Sequence, residues 1–84
     1  MNVIKRSGEE LAFDMSKIEN AITKANKATD PSYRTTAEVI RDITERVSNK
    51  CKALKRSVSV EEIQDMVENE LMKAQVFQVA HNYI

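Results

Sequence analysis

The chain has few of the residues from which most catalytic and metal sites are built. Among its 84 residues there is one cysteine, Cys51, and one histidine, His81. A single thiol excludes an internal disulfide. One cysteine and one histidine are also too few ligands for a zinc site. Neither a Walker loop nor a GxGxxG motif is present. A nucleophilic dyad would have only His81 as its base, so we predict that the chain alone is not catalytic.

Long apolar runs and an excess of charge of one sign are also absent. Without a run of roughly 18 apolar residues or an apolar leader, we predict neither a membrane span nor a signal peptide. Thirteen basic and thirteen acidic side chains cancel, which removes the general electrostatic case for binding nucleic acid or an acidic membrane. Any anion site must therefore be local. A lone thiol fits a reducing compartment, and we expect a cytoplasmic protein.

What is present predicts one small α+β domain, mainly α, with the element order β-β-α-α-β-α-α. Strands are expected over residues 3–5 and 10–13, joined by a two-residue Ser7-Gly8 turn, and a short third strand over 56–58. Helices are expected from about 15 to 28, 36 to 51, 59 to 73 and 76 to 84. Four short amphipathic helices cannot each bury a stripe alone, so the sequence predicts a four-helix bundle covered by a small three-stranded sheet.

Helix caps and helix faces can be predicted in more detail. Asp14 or Ser16 can cap the first helix, and Thr35-x-x-Glu38 and Ser59-x-x-Glu62 are possible capping boxes for the second and third. We expect the third helix to expose three acidic residues: Asp65, Glu68 and Glu70. The residues expected to face inward on the last three helices, together with a buried Cys51, are Ile40, Ile43, Val47, Ile63, Met66, Val67, Leu71, Ala74, Val76, Phe77, Ala80, Tyr83 and Ile84.

Three cations lie close together near the start of the chain. Lys5 and Arg6 precede the predicted turn, and Lys17 lies in the first turn of the first helix, where the helix dipole disfavours a cation. Several cationic donors that converge near a helix N-terminus can bind a polyphosphate. Lysine and arginine beside a turn are also common on solvated surfaces. The residues alone leave both interpretations open.

The stretch VIKRSGEELAFDMSKIENAITKA resembles the signature of the ATP-cone, with its V-x-K-R-[DNS]-G motif, F-[DN] pair and following K-I and A-I pairs. The resemblance extends more loosely to SVSVEEIQDMVENEL and VAHNYI, and so covers the whole chain. It implies a four-helix bundle under a three-stranded sheet, which agrees with the order read above. It also implies that Lys5, Arg6 and Lys17 hold phosphates. Val3, Phe13 and Ile18 would form apolar walls around the base of a bound nucleotide.

The same resemblance implies three further contacts. Asp14 and the backbone near Leu11 would read the polar edge of the base, while Val60 and Gln64 would contact the ribose or phosphates. Leu11 takes the place of an acidic residue that faces the adenine in many members. Gln64 replaces a histidine or aspartate.

The function implied is that of a non-catalytic allosteric domain, residues 1–84, cut from the N-terminal end of a ribonucleotide reductase large subunit. ATP, with or without Mg²⁺, would support activity and dATP would inhibit it. The implied partners are the catalytic domain and other subunits. Among the types of ribonucleotide reductase, VAHNYI looks more like the anaerobic type, which uses triphosphates. Two alternatives stay open: the cone of a nucleotide-sensing transcriptional repressor, and a degenerate cone that serves only as an interaction module.

Overall fold

A computed structural model describes residues 1–84 and contains four helices and a three-stranded sheet, which confirms the predicted fold class. The strands are β1 (Asn2–Ile4), β2 (Glu10–Ala12) and β3 (Val58–Ser59). The helices are α1 (Met15–Lys27), α2 (Ala37–Ala53), α3 (Val60–Lys73) and α4 (Phe77–Tyr83), with a short 3₁₀ turn at Pro31–Tyr33 between α1 and α2. None of the helices combines the length and apolar character needed to cross a membrane.

The sheet has the order β2-β1-β3, with β1 antiparallel to β2 and parallel to β3. Val3 is paired with Leu11 on one side and with Val58 on the other. The predicted two-residue turn is wrong: the Lys5 N–H donates to the Glu9 carbonyl at 2.8 Å, so residues 6–8 form the turn. Gly8 has a φ of 88°, a conformation that glycine adopts without steric cost.

Caps were predicted for the first three helices, and the structure agrees with two of these predictions. Asp14 caps α1 by accepting from the Ser16 N–H, and Ser59 and Glu62 form the complete capping box of α3. The start of α2 differs, because Thr36 rather than Thr35 is the cap and accepts from the Val39 N–H. Thr35 lies before the cap, and its backbone N–H and carbonyl bond to the side chain of Asn26, which anchors the loop to α1. The third strand is also displaced and begins at Val58 instead of residue 56.

Twelve buried apolar residues form one core. Most were predicted, but α4 presents a different face than expected: Val79 is fully buried, whereas Phe77 and Ile84 are 53% and 81% exposed. Gln75, with a φ of 61°, turns the chain between α3 and α4 and makes Ala74 an exposed cap residue. The core consists of Ile18, Ile22, Ala25, Ile40, Ile43, Val47, Cys51, Val58, Val67, Leu71, Val79 and Ala80.

Glu70 corrects the prediction of a solvated acidic face on α3. Its side chain is only 4% exposed, and its carboxylate binds the Lys50 ammonium of α2 at 2.6 Å. Arg46 and Lys73 lie within 3.7 Å of the same carboxylate. The hydrogen bond from Lys50, opposed by burial and aided by the charges of Lys50 and Lys73, lowers the pKa of Glu70. The cluster joins α2 to α3 at the edge of the core.

Acid should therefore weaken the fold. A lowered folded-state pKa means that Glu70 stabilises the fold above its ordinary pKa and loses this effect as the pH falls through the folded value. Glu62, whose pKa is lowered to about 2, chiefly by Arg56, acts in the same direction. We expect the free energy of unfolding to fall between about pH 5 and 2.

Glu70→Gln tests this dependence. We expect it to destabilise the domain by about 1 kcal/mol at pH 7, because the ion pairs are lost while the amide can still bond. The slope of stability against pH should become shallower. Urea denaturation at pH 7 and pH 3 measures both effects. Glu45→Gln, an exposed α2 carboxylate with no ion pair, is the control; an equal change in that variant would contradict the assignment to Glu70.

Candidate functional site

A cleft of about 360 Å³ opens between the hairpin, the first turns of α1 and α3, and the end of α4. Its volume lies within the range of small-molecule sites. Nine of the ten residues predicted for a nucleotide site line this cleft: Val3, Lys5, Leu11, Phe13, Asp14, Lys17, Ile18, Val60 and Gln64. They come from the β1–β2 hairpin, the loop between β2 and α1, and the helices α1 and α3. The fold, rather than closeness in sequence, brings the two α3 residues to the others.

The greater part of the cleft wall is apolar. Val3 and Phe13 are half-buried and pack against the core, which fixes their positions, and the buried core residue Ile18 also lines the cleft. Leu11 lies across from Val3 in the β1–β2 pair and remains 36% exposed. Rigid apolar walls with a few polar groups suit a flat aromatic ring.

Two ammonium groups, those of Lys5 and Lys17, supply the positive charge of the cleft. Lys17 forms no ion pair, and the Lys5 pair with Glu9 is long, 3.5 Å, with both side chains about half exposed or more. Exposed pairs of this kind contribute little to stability. Both ammonium groups are therefore available to an anion, and the site combines an apolar wall with two cations.

Asp14 is the one carboxylate in the cleft wall. Its Oδ1 accepts from the Ser16 hydroxyl at 2.7 Å and from the Ser16 N–H at 3.0 Å. The hydroxyl bond, followed by the backbone bond, lowers the pKa of Asp14, which keeps the carboxylate charged. Oδ2 takes part in neither bond and can accept from a ligand.

Arg6 is the predicted site residue that the structure does not bring into the cleft. Its side chain is 74% exposed, and its Nε donates to Glu61 Oε1, in the first turn of α3, at 2.9 Å. The sequence pattern gives no sign of this partner, which lies 55 residues along the chain.

Four lining residues were not predicted for the site: Ala12, Ala21, Ile63 and Tyr83. Ile63 and Tyr83 were expected to face inward, and both are half-buried. Periodicity cannot separate a residue that packs in the core from one that packs at the edge of a cleft. Burial raises the pKa of the Tyr83 phenol, as does the charge of Glu68 to a smaller extent, so its hydroxyl stays protonated and able to donate.

Comparison with known proteins matches the whole chain to one protein family. A family model described as "ATP cone domain" matches residues 1–84. The ribonucleoside-diphosphate reductase alpha subunits of Chlamydia trachomatis and Chlamydia muridarum are 33% and 32% identical over 92 residues, which cover 100% of this chain. That of Chlamydia pneumoniae is 36% identical over 88 residues, 98% of this chain. The chain spans only 8–9% of the length of these relatives.

Proposed function

The chain belongs to the ATP-cone family, and from this we propose that it is the nucleotide-sensing regulatory domain of a ribonucleotide reductase large subunit. The observation that carries the proposal is the cleft, which gathers apolar walls and two lysines in one place. The names of the three relatives support the choice of enzyme, and all three are diphosphate reductases. They give no support to the triphosphate-using branch. The reductase itself would be an oxidoreductase, and this domain its non-catalytic, cytoplasmic N-terminal part.

We assign the parts of a bound ATP or dATP to the parts of the cleft. The adenine would lie against the half-buried Val3 and Phe13 and against Ile18. The polar edge of the base would meet the Asp14 carboxylate and the backbone near Leu11. The phosphates would lie at the ammonium groups of Lys5 and Lys17.

On α3, Val60 and Gln64 would contact the ribose or the phosphates. Gln64 presents both a donor and an acceptor, so it can bond to a hydroxyl without a net charge.

Mg²⁺ would arrive with the nucleotide in this proposal. The residues contain no group of three or more side chains suited to hold a metal ion. Mg²⁺ is usually held by one or two carboxylates together with the phosphates of a substrate. Asp14 is the one carboxylate of the cleft wall and is assigned to the base, so the phosphates and water would hold the ion. Bound to the phosphates, the ion would neutralise part of their charge.

Regulation would follow from differential binding. ATP and dATP differ by one hydroxyl, so opposite effects require that the two ligands differ in their affinity for two states of the domain or of its assembly. The catalytic domain and the neighbouring subunits would supply the second state. The chain alone can then bind both nucleotides without showing a switch.

Isothermal titration of the 84-residue chain tests the proposal. We expect ATP and dATP to bind, and adenosine, which lacks the phosphates, to bind at least about tenfold more weakly, since a single charge-assisted bond already contributes more than 1.4 kcal/mol. Inorganic triphosphate, which lacks the base, should also bind more weakly than ATP. No binding of any nucleotide would refute the proposal and favour an interaction module.

A further inference from the structure

One ion pair joins the hairpin turn to the start of α3. Arg6 Nε and Glu61 Oε1 are 2.9 Å apart, and each residue directly follows one that lines the cleft, Lys5 and Val60. The pair therefore lies beside the cleft, between two of the elements that form it. It differs from the Lys5–Glu9 pair, which joins two residues of the same hairpin on either side of the turn and is longer, 3.5 Å.

The pair is well placed but weakly held. Glu61 lies in the first turn of α3, where the helix dipole favours a negative charge. The Arg6 and Glu61 side chains are 74% and 53% exposed, so water screens their attraction. A guanidinium binds phosphate oxygens at least as well as a carboxylate. A polyphosphate in the neighbouring cleft can therefore compete with Glu61 for Arg6.

We propose that Glu61 is a built-in competitor of the nucleotide: its carboxylate holds Arg6 outside the cleft, and the phosphates bind by taking Arg6 from it. This inference rests on the proposed nucleotide site. Glu61 is then a positioning residue that sets affinity without touching the ligand. The exchange also breaks the side-chain link between the hairpin turn and α3, so occupancy of the cleft alters how these two elements are joined.

Glu61→Gln is the direct test, by titration of the 84-residue chain with ATP. Because exposed ion pairs have modest strength, we expect about two- to fivefold tighter binding, with the larger gain at low ionic strength. In an Arg6→Gln background the same substitution should have no effect. Asp65→Asn removes one charge from an exposed α3 carboxylate that has no ion pair, and serves as the matched control.

The outcomes separate this inference from the proposed function. If the parent chain binds ATP but Glu61→Gln and Asp65→Asn behave alike, the competitor role is wrong and the nucleotide site stands. If the gain from Glu61→Gln persists in the Arg6→Gln background, Glu61 acts through general charge and the role is again wrong. If no nucleotide binds the parent chain, the proposed function fails and this inference fails with it. Thermal melting of each variant checks that the fold is retained.

Discussion

Replacing both Lys5 and Lys17 by alanine is expected to weaken ATP binding by about a hundredfold or more. Hydrogen bonds to charged groups are worth about 1.5–3 kcal/mol each, and 1.4 kcal/mol is a factor of ten in affinity. Even the lower end of that range, about 3 kcal/mol for two lysines, exceeds a hundredfold. The two groups are the cations of the cleft wall, so no neighbouring lysine or arginine in that wall can replace them.

The fold should survive this double substitution. Lys5 and Lys17 are exposed, and the Lys5–Glu9 pair is long and solvated. Lys17 lies in the first turn of α1, where a cation opposes the helix dipole, so alanine there removes an unfavourable interaction. A loss of binding with an unchanged melting temperature would therefore locate the effect in the cleft.

A matched control separates local contacts from net charge. Lys27→Ala/Lys52→Ala also removes two positive charges, from the last turns of α1 and α2, and neither residue lines the cleft. We expect this variant to bind ATP within a fewfold of the parent chain. Titration of both variants with ATP at the same ionic strength measures the two affinities. Equal losses in the two would show that the phosphates do not lie at Lys5 and Lys17.

Most of the cleft could be predicted because it is encoded locally. Residues 3–18 form a hairpin, a capping aspartate and the first turn of a helix, and local rules fix how these follow one another. Lys5, Asp14 and Lys17 thus come together before any long-range packing is considered. The resemblance to a known family supplied the site roles of the apolar residues and of Asp14, and it added the α3 residues Val60 and Gln64, which only the tertiary fold brings to the same cleft.

The features that the sequence did not predict are long-range pairings. The charge pattern of α3 predicts a solvated face that includes Glu70. It gives no sign of the partner Lys50, which lies 20 residues earlier on another helix. The pairing of Arg6 with Glu61 is likewise not predicted, because Glu61 lies 55 residues later. The charge pattern of one helix gives no information about a lysine or arginine on another element that packs against that helix. Tyr83 reaches the cleft wall only because α4 packs against α1.

The cleft depends on the core because the hairpin, α1, α3 and α4 all contribute to its wall. α3 contributes Val60, Ile63 and Gln64 to the wall, and the same face carries Val67 and Leu71 further along the helix, where both are fully buried. α3 packs against α2 and α4. A defect under α3 should therefore weaken the whole domain and, through it, the population that can bind nucleotide.

Leu71→Ala tests this dependence and should have the largest effect on stability. Truncation of a buried leucine costs about 2–5 kcal/mol, while a domain of this size has about 4–13 kcal/mol in total at 0.05–0.15 kcal/mol per residue. Urea denaturation should show a much lower midpoint. Met72→Ala is the control, since its side chain is adjacent in sequence but 51% exposed, and we expect a change within about 0.5 kcal/mol. Similar losses in both variants would contradict the assignment of Leu71 to the core.

ATP should restore part of the stability that Leu71→Ala removes. A ligand that binds only the folded state stabilises it by mass action, by about 2.7 kcal/mol at a hundred times its dissociation constant. The midpoint of Leu71→Ala should therefore rise when ATP is added, because the cleft residues themselves are unchanged. Adding the Lys5→Ala/Lys17→Ala pair to the same variant should abolish the rise. A rise that persists without the two lysines would mean that ATP stabilises the domain from a different site, since the core defect is common to both proteins.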